Sequence, residues 1–294
     1  SEGKIFLQTE DIDASPTKFW DDNDSDNSSL TGNNEGWKPL GWGSIYDEFE
    51  GFYNGNYHRI LNLFINRSTD NNDYSVGFIG TLSNFVGNGS VGVIKLGIQN
   101  AKYLINSGYG QTEIGGLIAG ENLNTGNNPF YLSDLFFEGT IDFSSSSTNP
   151  SYVGGILGQF VISSSYKIQN SYFNGIIKGN TSTYGIGGIA GRFNGMSVEN
   201  AYARGKIIGE NNDNAGIIGY VVNSVNSNSP TIYNVYSAIL FEELDGTSLN
   251  NSPIGDYSKY NSDPITQFDN IYWDTTLSYS SEFYESKDDG IVIS

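Results

Sequence analysis

Three groups of residues in this chain have types and spacings that could do chemistry. Asp22, Asp24 and Asp26 alternate within Asp21-Asp22-Asn23-Asp24-Ser25-Asp26-Asn27, a short turn offering the several hard oxygens that calcium takes. The EF-hand pattern is not met, because Asn27 stands in place of its glycine and Asn33 in place of its bidentate acid. Calcium is thus the one candidate cofactor, with Asp22, Asp24 and Asp26 as ligands; a solvated acidic loop is the competing reading. Trp37, Trp42, Tyr46 and Tyr53 could stack on sugar rings, or could plug one end of a stacked fold. The acidic pairs Asp47 with Glu48 and Glu138 with Asp142 offer the two carboxyl groups of glycoside cleavage, but a chain with 33 Asp+Glu makes such pairs by chance.

Composition closes other classes. With 14 Lys+Arg and a net charge of −19, the 294-residue chain has no basic surface for nucleic acid. An acidic surface suits solubility, divalent cations or a neutral ligand such as glycan. No apolar run reaches transmembrane length, so no direct membrane insertion is expected. The absence of cysteine excludes disulfides, Cys-ligated zinc and a thiol nucleophile. His58 is the sole histidine, which nearly closes the classes that need an imidazole base or several His ligands. Asn66-Arg67-Ser68, Asn88-Gly89-Ser90 and Asn180-Thr181-Ser182 fit glycosylation sequons, read as accidents of an Asn/Ser-rich chain.

The elements that must position these residues announce themselves by repetition. One phrase recurs as Ile168-Gln169-Asn170-Ser171-Tyr172, Val198-Glu199-Asn200-Ala201-Tyr202, Ile232-Tyr233-Asn234-Val235-Tyr236 and Phe268-Asp269-Asn270-Ile271-Tyr272. A second lies between the copies: Gly154-Gly155-Ile156-Leu157-Gly158, Gly187-Gly188-Ile189-Ala190-Gly191 and Ala215-Gly216-Ile217-Ile218-Gly219. A period of roughly 30 to 40 residues marks a stacked-repeat protein. With 37 glycines in a Ser/Asn-rich background, helix formers are scarce. Short strands stacked as successive coils about 4.8 Å apart would bury a shared inner face. The expectation is an all-β parallel β-helix, a solenoid of about seven coils with aromatic-rich end caps; an antiparallel sandwich is the competing fold. We read one domain over residues 1–294: residues 1–58 as N-terminal cap and first coil, 59–240 as repeat coils, 241–294 as last coil and C-terminal cap.

Aligned on its polar centre, the first phrase gives a ladder of Asn62, Asn100, Asp134, Asn170, Asn200, Asn234 and Asn270. Strand alternation puts Ile168, Asn170 and Tyr172 on one face, the inner one, where stacked amides could satisfy each other. Asp134 interrupts this ladder with an acceptor-only group. The paired glycines are read as corners giving positive φ or close backbone approach. No helix pattern follows them, so a phosphate loop is not read here.

The Gly-Gly-Ile-x-Gly phrase paired with Asn-x-Tyr-x-x-Gly resembles the GLUG-motif repeats of large bacterial surface proteins. The opening is similar, from Leu7-Gln8-Thr9-Glu10-Asp11-Ile12-Asp13 through Trp37-Lys38-Pro39-Leu40-Gly41, and so is the close at Asn270-Ile271-Tyr272-Trp273-Asp274-Thr275. The resemblance covers nearly the whole chain. It implies a right-handed β-helix on an exported adhesin or stalk. Similar repeats accompany immunoglobulin A1 proteases, but that activity needs a His-Glu-x-x-His helix and this chain has only His58. Lys102 and Ala119 depart from the pattern and leave the register of the second and third coils open.

The functional expectation is a non-catalytic repeat module, extracellular or on a bacterial cell surface, acting in adhesion, receptor or glycan binding, or as a spacer. The terminus Ser1-Glu2-Gly3-Lys4 has no signal-peptide core, so a mature product or a piece of a longer parent with further domains is expected. Its partners would be a glycan or a protein of a host or neighbouring cell, met through loops such as residues 122–128, 144–151 and 223–229. The alternatives are a carbohydrate-active β-helix lyase or hydrolase, or a phage spike or filament subunit.

Overall fold

The computed structural model describes residues 3–20, 34–42, 48–68, 75–83, 90–106, 113–122, 130–144, 152–161, 166–180, 185–194, 196–209, 214–223, 231–247, 251–259, 267–274, 276–277 and 284–286. It is a parallel β-solenoid. One coil runs through Lys167–Lys178, Gly185–Gly187 and Ala190–Asn194. The next runs through Ser197–Ile208, Asn214–Ala215 and Ile218–Asn223, each strand pairing in parallel with its counterpart. This builds a first face of thirteen strands, a second of five and a third of seven. Among the described residues five coils therefore carry a strand on all three faces, against the seven or so expected. Among the described residues, 231–242 with 254–259, and 267–273 with 284–286, extend the first and third faces. Among the described residues the one helical segment is a 3-10 turn, Ser15–Phe19.

The amino-terminal residues add an irregular turn beneath the first coil. Ile5–Leu7 pairs with Phe52–Asn54, and Ile12–Asp13 with Ile60–Leu61. Leu40 and Phe49 bridge Ile79 and Leu82 of the third face.

Like residues lie above like in the interior. Ile98, Phe137, Phe173 and Ala203 form one buried column, and Tyr103, Ile141, Ile177, Ile207 and Phe241 another. Each large apolar side chain so buried contributes about 1.5–3 kcal/mol. The glycine phrase serves close approach. A Cβ on Gly154 or Gly187 would lie 1.8 or 2.1 Å from the carbonyl oxygen of Leu157 or Ala190 in its own arch. One on Gly155 would lie 2.2 Å from the Phe173 ring, and one on Gly158 or Gly191 within 2.4 Å of neighbouring-coil backbone. The second and third faces thus touch backbone to backbone.

The asparagine column exists, but not where strand alternation put it. Asn170, Asn200 and Asn234 are exposed, with φ of 52°, 52° and 54°. A left-handed residue breaks the period of two, so Ile168 and Ser171 point inward while Asn170 points out. The amides still bond along the column. Asn234 Nδ2 donates to Asn200 Oδ1 at 2.7 Å, Asn200 to Asn170 at 3.2 Å and Asn170 to Asp134 Oδ1 at 3.4 Å. Asp134 ends the chain of donors as an acceptor. Asn270, also left-handed, continues the register.

The register of the early coils differs from the expected one. The position equivalent to Asp134 is held in the second coil by Lys95, φ 53°, whose N–H bonds Ser133 O. Asn62 and Asn100 belong to a separate left-handed column, with the Asn62 N–H on Gln99 O at 2.8 Å. Asn100 lies in a bulge between the pairs Ile98–Phe137 and Ala101–Gly139, where the second coil has one residue more than the third.

Asparagine is thus selected first for its backbone. Asn200→Leu is expected to cost about 1–2 kcal/mol through left-handed strain, and Asn200→Gly clearly less despite losing the same amide. Urea midpoints of the two variants check this. Equal losses would make the amide ladder, not φ, the cause.

Candidate functional site

The candidates read from sequence divide into packed and undescribed. Trp37 stacks on Phe78 with centroids 5.3 Å apart, and its Nε1 donates to Phe78 O at 3.1 Å. Trp42 lies 5.3 Å beneath the guanidinium of the buried Arg67, which bonds the carbonyls of Gly36 and Trp37. Tyr53 meets Phe78 edge-on and donates to Gln8 Oε1 at 3.2 Å. These three pack the amino-terminal turn onto the first coil. Tyr53 also borders a cavity of about 320 Å³ with Phe6, Leu7, Gln8, Thr9, Glu10 and Ile12. Tyr46, Asp47 and the acidic Asp22, Asp24 and Asp26 lie outside the described residues. Among the described residues no group of three His, Cys, Asp or Glu could hold a metal ion.

The glycosidase pair is used elsewhere. Asp142 closes a turn by accepting from Ser144 N and Oγ at 3.0 and 2.7 Å, while Glu138 accepts from the Tyr172 hydroxyl at 3.3 Å. Two sequons are also occupied in packing: Asn66 Nδ2 bonds Asn34 O, and Asn180 is buried.

Two assemblies emerge that sequence reasoning missed. The first is a tyrosine column on the outside of the first face. Phe136, Tyr172, Tyr202, Tyr236 and Tyr272 occupy successive coils in register. Phe136 and Tyr172 stack at 5.0 Å and 2°, Tyr172 and Tyr202 at 4.8 Å and 5°. Gly97 makes room below, since a Cβ there would lie 1.8 Å from the Phe136 ring. Tyr202, Tyr236 and Tyr272 are 42%, 43% and 56% exposed, with Tyr131, Tyr233 and Ile176 exposed on the same face. Burial, then the nearby Glu138, pushes the Tyr172 phenol up to about 12 and raises that of Tyr202, so both stay neutral donors. Phe136, Tyr172 and Tyr202 cover one another's ring faces, and Tyr172 turns its hydroxyl to Glu138. Charged groups flank the strip: Asp134 at the foot of the amides, Glu138 against Tyr172, and Lys167 paired with Glu199 at 3.0 Å. The recurring Tyr two places after each Asn was the available signal; the assumed alternation hid it by sending that Tyr inward.

The second assembly crosses the edge where the second face meets the third. Ser75 Oγ donates to Glu113 Oε2 at 3.0 Å, and Gln159 Nε2 to Glu113 Oε1 at 3.1 Å. Arg192 Nη1 donates to Gln159 Oε1 at 3.1 Å, and its guanidinium lies 5.0 and 6.0 Å from the Tyr152 and Tyr220 ring centroids. The carboxyl sits over Gly120, where a Cβ would come within 2.9 Å of Oε2. Burial raises the Glu113 carboxyl to about 7, against the lowering effects of Ser75 and Arg192. Its sequence trace is the residue after the last glycine of each phrase: Gln159, Arg192, Tyr220. That position varies within an otherwise constant phrase.

No protein-family model matches the chain, and no curated protein sequence matches it. Among solved structures it is similar to a Bacteroides ovatus protein named a "putative immunoglobulin A1 protease", with a TM-score of 0.59 and 19% identity. The match covers 100% of this chain and 74% of that one. At such identity the likeness carries the fold alone.

Proposed function

We propose that this protein is a non-catalytic recognition module of an exported or cell-surface protein, and that the outer surface of the first face is its binding surface. The observation that carries this reading is the exposed tyrosine column with its flanking amides, continuous over successive coils. Tyrosine and asparagine supply rigid contact area and adaptable hydrogen bonds at low entropic cost, the composition of adaptable recognition surfaces. The resemblance to surface-protein repeats supports the same reading. Where Phe136, Tyr172 and Tyr202 stack, their ring faces are covered, so that stretch favours a partner read by hydrogen bonds and ring edges over a sugar laid flat on one ring. The bacterial neighbour's name points to proteolysis; a zinc protease's His-Glu-x-x-His helix needs two histidines and a thiol protease a cysteine, and this sequence holds one histidine and no cysteine.

The test is binding to a panel of immobilised polysaccharides and mucin glycoproteins, comparing wild type with Tyr202→Ser/Tyr236→Ser. Wild type is expected to bind at least one panel member, and the double variant to bind it at least tenfold more weakly with an unchanged circular dichroism spectrum. Unaltered affinity in a folded double variant would remove the first face as the binding surface.

A further inference from the structure

The charge of this chain is spread unevenly. Of its 14 Lys+Arg, five lie in the first-face strands Gly97–Asn106, Phe136–Asp142, Lys167–Lys178, Ser197–Ile208 and Thr231–Glu242, against only four of its 33 Asp+Glu. Two of these cations are paired on the face itself, Lys167 with Glu199 at 3.0 Å and Lys206 with Glu242 at 2.8 Å. These strands are therefore near neutral, and the acidic excess lies elsewhere in the chain. Two such chains repel least when these faces meet. One outward column on the face is charged at both ends. Glu138, Asn174 and Arg204 stand in register on three successive coils, turned out because Phe137, Phe173 and Ala203 beside them are buried. Arg204 is exposed, and among the described residues it enters no ion pair. The stack of Phe136, Tyr172 and Tyr202 flanks this column on one side, and Ile176, 39% exposed, on the other.

We propose that the occupant of the first face is a second copy of this chain, bound face to face across a two-fold axis that runs along the Lys167–Lys178 strand; this rests on the first face being the protein's binding surface. Rotation about that axis reverses the order of the coils and sets each column opposite itself. Glu138 then meets Arg204 of the second copy and Arg204 meets its Glu138, while Asn174 and Ile176 meet their own counterparts. Lys178 also meets itself, with Asp142 one coil away on each copy to offset it. Coils repeat about every 4.8 Å in both copies, so a match at one coil holds at the next, and facing sheets about 10 Å apart bring such side chains into contact. The two Glu–Arg pairs fix the register, and the closed symmetry stops assembly at two. Seven residues of strand by five coils is a surface of about 23 by 24 Å, or roughly 1,100 Å² for both copies, the size of a weak, reversible pair.

Sedimentation equilibrium of the full chain across the micromolar range tests this. A monomer–dimer equilibrium is expected. Glu138→Arg and Arg204→Glu should each weaken it at least tenfold, although they change the net charge in opposite directions, so general repulsion cannot explain both. The double variant Glu138→Arg/Arg204→Glu should restore it to within threefold of wild type. A monomer at every concentration, a trimer, wild-type affinity in either folded single variant, or a double variant as weak as the single ones would overturn the proposal. Failure of the glycan reading looks different. A dimer with this charge pattern, alongside unaltered panel affinity in Tyr202→Ser/Tyr236→Ser, would keep the contact between copies and remove glycan from this face. A monomer whose panel binding is lost in that variant would do the reverse.

Discussion

Gly154→Ala is expected to destabilise this protein by about 3 kcal/mol or more, from a single added methyl group. The methyl would lie 1.8 Å from Leu157 O, 2.8 Å from Ala190 Cα and 2.8 Å from Gly191 N. All three are backbone atoms, so no side chain can rotate aside. Relief requires the second face to move off the third, which would break the parallel ladders to the coils on either side. Gly209→Ala is the internal control. There the nearest atom would be 3.7 Å away, an ordinary contact, and a change within about 0.5 kcal/mol is expected. Urea unfolding followed by circular dichroism measures both. Equal small losses would mean that backbone contact in the arch is not what demands glycine.

The second large effect concerns pH. The Glu113 carboxyl titrates near 7 when folded, against 4.5 as its ordinary value, because burial disfavours its charge. The folded state therefore binds the proton more tightly than the unfolded one. Its contribution is fully present below pH 4.5 and is lost as pH rises through 7. Wild type should thus lose roughly 2–3 kcal/mol between about pH 4.5 and 8 from this group. Glu113→Gln, a neutral isostere, should be nearly flat over that range and more stable than wild type at pH 8. Asp13, Asp245 and Asp274 act with the opposite sign, since bonds to Ser15, Thr247 and Thr276 lower them. Their window lies below pH 3.8, outside that of Glu113. Melting temperatures of the two proteins across pH 5 to 8 decide the matter. Parallel curves would mean that Glu113 stays ionised throughout the range.

The fold was legible because repetition writes the stacking direction into the chain. Once Ile177 and Ile207, or Gly154 and Gly187, recur in the same phrase, parallel register follows with little further information. The orientation of individual side chains was less legible. Period-two alternation holds only while φ stays negative, and a single left-handed residue within the strand turns Asn170 outward and re-aims Tyr172 with it. Such a residue is not visible in apolar patterning, although Asn is among the residues that tolerate it. Register in the second coil failed for a related reason: Lys95 holds the left-handed position there, and Asn100 marks a bulge instead. The Glu113 assembly was hidden because its members lie 33 to 46 residues apart, on two faces, and meet only through coil stacking.

The central claim, recognition without turnover, is tested most directly by incubating the pure protein with the panel members it binds and measuring new reducing ends, unsaturated uronate absorbance and new peptide termini. The account predicts none of these products above a heat-unfolded control, with the bound material recovered intact. Reproducible product that disappears in Glu113→Gln or Glu138→Gln while binding persists would contradict it and make this solenoid an enzyme.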